Sequence, residues 1–162
     1  MEIRLARRED LDAITDIYNE AIDTTTATFD TEPKTAEEQL RWFEEHTGRH
    51  PIYVAELEGT VVGWTSLSPW SGRCAYSDTA ETSFYVKAGH RGEGVGTALK
   101  KTIIEKARSL GFHVLIAQIA EGAEASRSIN ESLGFRHVGT LQEVGRKFGK
   151  TLDVHLYQLV LN

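Results

Sequence analysis

Residues 82–111 read TSFYVKAGHRGEGVGTALKKTIIEKARSLG, and this stretch decides the fold. Thr82 to Val86 has the β-branched and aromatic content of a strand. Arg91-Gly-Glu-Gly-Val-Gly96 is a glycine-rich turn. From about Gly96 to Leu110, apolar residues recur at helical spacing: Leu99, Ile103, Ala107 and Leu110 share one face. Lys100, Lys101, Glu105 and Arg108 fall on the other faces. Gly111 sits where a helix-ending glycine belongs. Strand, glycine turn and helix in this order form the chemically most informative unit of the chain.

Its chemistry follows from the helix start. The first N–H groups of a helix have no partner inside it, and the helix dipole adds positive charge there. Glycines let an anion approach the backbone with no Cβ in the way. Gly92, Gly94 and Gly96, with the N–H groups of Val95 and Thr97, therefore predict a pyrophosphate cradle. It is not a Walker loop, because Thr97-Ala98 does not supply the Lys–Ser/Thr pair after the last glycine. It is not a dinucleotide fingerprint either. Counting six places from Gly92 reaches Thr97, and from Gly94 it reaches Leu99.

Working outward, strand and helix patterns alternate, which predicts an α/β (α+β) fold occupying residues 1–162 as one domain. Glu2 to Ala6 reads as a strand. Asp10 precedes a helix carrying Leu11, Ile14, Ile17 and Ala21. Residues Asp23 to Pro33 are threonine-rich and irregular. Thr35 with Glu38 is a capping box opening a short helix. Ile52–Leu57 and Thr60–Ser68 flank Glu58-Gly59 as a hairpin. Phe112 to Ile119 is a further strand, and Ala123 to Leu133 a further helix ending at Gly134. Two strands follow, near Phe135 to Leu141 and Leu152 to Leu161.

Composition narrows the function classes. Of 162 residues, 40% are hydrophobic and 26% charged, so a core forms without metal or disulfide staples. The net charge of -6 carries no basic footprint for nucleic acid. Cys74 is the single cysteine. With no signal-peptide pattern and no membrane-spanning run, a cytoplasmic protein is expected. His46 and His50 lack a third ligand and read as solvent-exposed, so no metal is expected.

Three segments and the turn carry a family resemblance. Arg91-x-x-Gly94-x-Gly96 resembles motif A of the GNAT N-acetyltransferases, which holds the pyrophosphate of coenzyme A. Ile17-Tyr-Asn-Glu-Ala-Ile22 followed by Thr26-Ala-Thr-Phe-Asp-Thr-Glu-Pro33, Thr79-Ala-Glu-Thr-Ser-Phe-Tyr-Val86, and Ser132-Leu-Gly-Phe135 with Asp153 to Leu159 look like the phosphinothricin and methionine sulfone/sulfoximine branch. The resemblance covers nearly the whole chain. It implies a GNAT fold, with a central mixed twisted sheet of about seven strands flanked by about four helices. It also implies acetyl-CoA as cosubstrate, a small-molecule amine as acceptor, direct transfer, and a homodimer.

The resemblance further implies site residues. Glu81 is the general base that takes a proton from the amine. Phe84, Tyr85 and Val86 pair with the pantetheine arm, and the Val86 N–H polarises the thioester carbonyl. Arg91 to Thr97 hold the pyrophosphate. Thr28, Phe29, Arg73 and Tyr76 border the acceptor, with Arg73 gripping a carboxylate. Two positions depart from the pattern. Ala123 stands where relatives often carry asparagine, which removes a hydrogen bond to the cofactor arm. Asn130 stands on the leaving-group side, where relatives carry histidine or tyrosine. An amide cannot protonate the departing thiolate, although it can donate a hydrogen bond to the sulfur. Two alternatives follow. One is an acetyltransferase for a cationic amine or peptide N-terminus. The other is a non-catalytic acyl-CoA-binding sensor.

Overall fold

Apolar periodicity and turn chemistry set the elements of the computed structural model, which describes residues 1–162. Strand β1 is Glu2–Leu5. Helix α1, Leu11–Thr24, buries Ile14, Ile17, Ala21 and Ile22. Helix α2, Ala36–Glu45, starts at Thr35, whose hydroxyl accepts from the Glu38 N–H at 3.2 Å, as the capping box predicts. Strands β2, Ile52–Leu57, and β3, Thr60–Pro69, turn through Glu58 and Gly59, both at positive φ. That is the conformation a two-residue hairpin needs. Strand β4, Thr79–Val86, leads to the glycine turn and helix α3, Val95–Ser109. Strand β5, Val114–Ala120, helix α4, Glu124–Ser132, and strands β6, Arg136–Lys147, and β7, Lys150–Val160, complete the chain.

The seven strands form one mixed sheet in the order β1-β2-β3-β4-β5-β7-β6, with β4 and β5 the parallel pair. Helices α1 and α2 cover one face, and α3 and α4 the other. Side chains on β4 alternate accordingly. Ala80 and Val86 join the apolar clusters around α3, whereas Tyr85 packs with Ile14, Ile17 and Trp64 on the α1 side. Thr82 and Phe84 thus face α3, while Glu81 and Ser83 face the α1–α2 layer.

The largest core cluster sits under α3 and joins Leu67, Ile103, Leu115 and Tyr157. Leu115 is fully buried on β5. Leu115→Ala should lower the unfolding free energy by about 2–5 kcal/mol through lost burial and the cavity left behind. A urea titration reads this as a lower midpoint with an unchanged slope.

Three expectations need correction. The terminal strands are longer than Phe135–Leu141 and Leu152–Leu161 suggest, because β6 and β7 meet at a tight turn through Phe148 and Gly149. Phe-Gly is not among the usual hairpin pairs, and a register irregularity between Leu141 and Gly145 interrupts the alternation. His46 is not a free surface histidine. Its Nδ1 bonds to the Trp42 carbonyl oxygen at 2.8 Å and its Nε2 to Ser68 Oγ at 3.0 Å. Burial lowers its pKa, although the Trp42 carbonyl opposes the shift. Lys100 does not fall on a different face from Leu99, Ile103 and Ala107: it is buried with them, 1% exposed.

Candidate active site

The site begins where β4 and β5 part. Their pairing covers only Thr79–Val114, Ala80–Leu115 and Glu81–Ile116. Beyond that point β4 stays on β3 as far as the Gly63–Val86 pair, and β5 follows β7 to Ala120–Val154. The sheet therefore opens into a wedge. The Lys87 N–H donates to Val62 O at 2.8 Å. Antiparallel bonding repeats every second residue, so the N–H groups of Ser83 and Tyr85 also point to β3. Those of Phe84 and Val86 point the other way, into the wedge, with no strand beside them.

A groove of about 840 Å³ fills this wedge. One wall is Thr82 to Val86, and the other is Ala117 to Ala120. The glycine turn closes one end and the start of α4 closes another side. The segment after α1 forms the rim. Thr26 Oγ1 donates to Glu121 O at 2.9 Å, and the Tyr85 hydroxyl points to Ala27 O at 3.5 Å, so this segment spans from β4 to the end of β5.

Glycine is required at three places in the turn, the first being Gly92 at φ +80°. Gly94 caps α3 with φ +85°, in the left-handed region. At Gly96 an added Cβ would lie 2.9 Å from the Phe84 ring and 3.2 Å from Ile129 Cδ1. Arg91 turns back on the loop: its Nε donates to Val86 O at 3.2 Å, and its guanidinium lies 3.8 Å from Glu20. Gly92, Gly94, Gly96 and Thr97 line the groove with Arg91. Glu93 and Val95 do not, and Val95 is a buried anchor beneath the turn.

Glu81 stands at the vertex, the last residue of β4 paired to β5. Gln118 Nε2 donates to its Oε2 at 2.9 Å. Partial burial raises its pKa above the ordinary glutamate value. The Gln118 bond and the positive charge of Lys100 pull in the opposite direction. Lys100 reaches the vertex from the other face. Its Nζ donates to Thr82 Oγ1 and lies 4.3 Å from the centre of the Phe135 ring. The signal that could have found it is helical spacing, because Lys100 lies three, four and seven residues before Ile103, Ile104 and Ala107 on the buried stripe of α3.

The Asn130 side chain lines the groove and is 1% exposed. Its Nδ2 donates to Ser126 O at 2.8 Å, and its Oδ1 has no partner. The free atom is therefore an acceptor, and the donor expected for the sulfur is directed at Ser126 instead.

The acceptor-side candidates are less united. Thr28 is buried, its hydroxyl 2.9 Å from that of Tyr18, while Lys147 Nζ bonds its carbonyl. Phe29 packs against Gly145, where an added Cβ would come within 2.1 Å of the ring. Arg73 and Tyr76 lie exposed in the loop between β3 and β4, at the end of the sheet where Glu81 stands. None of these four lines the groove. A second hollow of about 410 Å³ opens on the α1–α2 face between Ser83, Tyr85, Trp42 and Glu45.

Comparison with known proteins adds the decisive observation. Residues 3–156 match the family described as acetyltransferase (GNAT) domain. The chain belongs to the GNAT acetyltransferases. It is 37% identical to the L-amino acid N-acyltransferase MnaT of Escherichia coli K12, over 100% of this chain and 95% of that one. It is 38% identical to an L-methionine sulfoximine/L-methionine sulfone acetyltransferase of Pseudomonas paraeruginosa, over 99% and 94%. A crystal structure of a GNAT superfamily phosphinothricin acetyltransferase from Sinorhizobium meliloti, in complex with acetyl-CoA, superposes with TM-score 0.95 at 34% identity. It covers 99% of this chain and 88% of that one.

This GNAT acetyltransferase is thus an acyl-CoA-dependent enzyme whose cosubstrate is acetyl-CoA. The wedge suits that molecule. It offers unpaired N–H groups along one wall and a helix start with glycines at its end. No group of three His, Cys, Asp or Glu side chains is placed to hold a metal ion, and no helix is long and apolar enough to cross a membrane.

Proposed function

We propose that this acetyltransferase moves the acetyl group of acetyl-CoA directly onto the α-amine of a small amino acid or analogue, of the methionine sulfone, methionine sulfoximine or phosphinothricin type, with Glu81 as general base. One observation carries the reading. A carboxylate whose pKa is raised by burial stands where a strand with free N–H groups parts from its neighbour.

The pyrophosphate rests on the N–H groups at the start of α3, beside Gly92, Gly94, Gly96 and Thr97. The pantetheine arm follows β4 as a missing strand would, along Phe84, Tyr85 and Val86, and its thioester reaches towards the vertex. A backbone N–H of β4 polarises the carbonyl. The resemblance assigns this role to Val86, and Phe84 offers the same orientation closer to the vertex. One such donor lowers a barrier by about 3 kcal/mol. An amine arrives as ammonium and loses a proton to Glu81, directly or through a water. Attack then forms a tetrahedral intermediate, which collapses with loss of the thiolate.

The acceptor's carboxylate is held by Arg73, whose exposed guanidinium makes no bond within the chain and lies in the loop beside Glu81. The names of the relatives support an amino-acid acceptor. They say less about assembly, and a homodimer in the cytoplasm remains our reading by resemblance.

The test is thiol release from acetyl-CoA with a panel of amino acids, amino-acid analogues and polyamines. Turnover confined to α-amino acids is the expected result. Turnover with polyamines alone would move the assignment to cationic amines, and binding of acetyl-CoA without any turnover would indicate a sensor. Within the amino-acid series, Arg73→Ala should raise the acceptor KM about tenfold and leave the acetyl-CoA KM unchanged, the loss expected for one charge-assisted pair.

A further inference from the structure

The reaction needs two proton movements, and the proposed base accounts for one. Departure of coenzyme A as thiolate places a negative charge on sulfur inside the groove. Asn130 carries no acidic proton, and its amide donor is directed at Ser126. Of the titratable side chains that line the groove, His90 and Arg91 belong to the glycine turn, far along the groove from the vertex. Glu124 is exposed at the start of α4. Tyr85 faces the α1 layer, with its hydroxyl towards Ala27 O and its pKa pushed up to about 12 by burial. Lys100 remains.

Its position is specific. It enters from α3, under the first β4 residue that has lost its β5 partner, and donates to Thr82 Oγ1. The residue is 1% exposed, and its ammonium lies over the Phe135 ring, 4.3 Å from the centre. Glu81 occupies the opposite face at the same vertex. A buried lysine is costly to a fold, and nearby apolar side chains would fill this space more favourably.

We propose that Lys100 is the acid of this reaction, giving an Nζ proton to the coenzyme A sulfur as the carbon–sulfur bond breaks. The inference rests on the acetyl-transfer reading above. The balance is simple. Two protons leave the acceptor nitrogen, one before attack and one from the intermediate. The electron pair of the carbon–sulfur bond goes to sulfur, which takes the Lys100 proton and leaves as thiol. One of the two protons from nitrogen restores Lys100 through solvent, and the other is released.

The electrostatics agree with the geometry. Desolvation pushes Lys100 down to about 7, opposed by the negative charge of Glu81. An acid with a pKa near the working pH donates more readily than an ordinary lysine. Thr82 and Phe84 of β4 and Phe135 after α4 surround the ammonium. None of them titrates near neutral pH, and Glu81 is the charge that acts on it.

The experiment compares kcat, at saturating acetyl-CoA and amino-acid acceptor across pH, for the native chain and Lys100→Met. Loss of an acid should lower kcat about 10²-fold or more. The KM for acetyl-CoA and its effect on melting temperature should stay as they were. The native kcat should decline on the alkaline side at a pH below the ordinary lysine range, and that limb should vanish in the variant. Thr82→Val removes the hydroxyl that accepts from the ammonium. It should move the same limb to lower pH without abolishing turnover, and it serves as the test if the methionine variant does not fold. A methionine variant that keeps kcat within about twofold with an unaltered profile, or a limb unmoved by Thr82→Val, overturns the role of Lys100. Failure of the native chain to release thiol with any amine would instead remove the reading beneath it.

Discussion

Glu81→Gln should lower kcat/KM for the amino-acid acceptor by about 10²–10⁴-fold, the contribution of a positioned general base. The substitution keeps the shape of the side chain and its acceptor oxygen, so the Gln118 Nε2 bond at 2.9 Å survives. Acetyl-CoA should bind as before, because Glu81 stands at the vertex and does not line the groove. What disappears is the ability to take a proton. The pH profile separates this from a packing defect. Burial raises the Glu81 pKa, and the base must be ionised. The native rate should therefore fall as pH drops through a value above the ordinary glutamate range. In Glu81→Gln that acid limb should be absent. A variant with native kcat/KM and an unchanged acid limb would remove Glu81 from the chemistry while leaving the enzyme class untouched.

Gly94→Val should raise the KM for acetyl-CoA by about tenfold or more, equivalent to at least 1.4 kcal/mol of lost binding. Gly94 sits at φ +85°, where a residue with a Cβ costs roughly 1–2 kcal/mol. Nothing in the chain lies within 4 Å of the position its Cβ would occupy. The fold thus meets strain but no clash, and the loss of stability should stay near the strain alone. The cosubstrate meets more. A branched side chain would stand at the helix start, where the pyrophosphate approaches the N–H groups of α3. Gly89→Ala is the control. Gly89 lies in the preceding turn without a positive φ and with nothing within 4 Å, so its variant should bind acetyl-CoA normally. Calorimetric titration of both variants with acetyl-CoA measures the contrast. Equal affinities would place the pyrophosphate elsewhere.

The sequence disclosed most where local rules coincide with global ones. Gly92, Gly94 and Gly96 following a β-branched strand and preceding a helical apolar stripe determine a turn, a cap and an anion-binding helix start, and each is a property of adjacent residues. The capping box at Thr35 and the hairpin at Glu58-Gly59 are equally local. Where a rule was broken, the pattern misled. Phe148 and Gly149 make a tight turn that Phe rarely enters, and a register irregularity hides the alternation of β6. His46 looks free in the sequence, because Ser68, which binds it, is 22 residues away.

The candidate site divides in the same way. Glu81 and the groove-lining glycines could be named from motif and resemblance. Lys100 was legible only in part: it lies three, four and seven residues before Ile103, Ile104 and Ala107 and so falls on the buried stripe of Val95–Ser109, as Lys101 does not, but spacing does not show what its ammonium meets. Its burial arises from tertiary contacts with Thr82 on β4 and Phe135 beyond α4, residues 18 positions before it and 35 after it. The parting of β4 from β5 is likewise invisible along the chain, since strand pairing is chosen by partners distant in sequence. The sequence by itself determined the elements, the glycine cradle and the family. The tertiary structure alone decided which charges meet at the vertex, because a low-dielectric site is created only when distant segments close over it and exclude water.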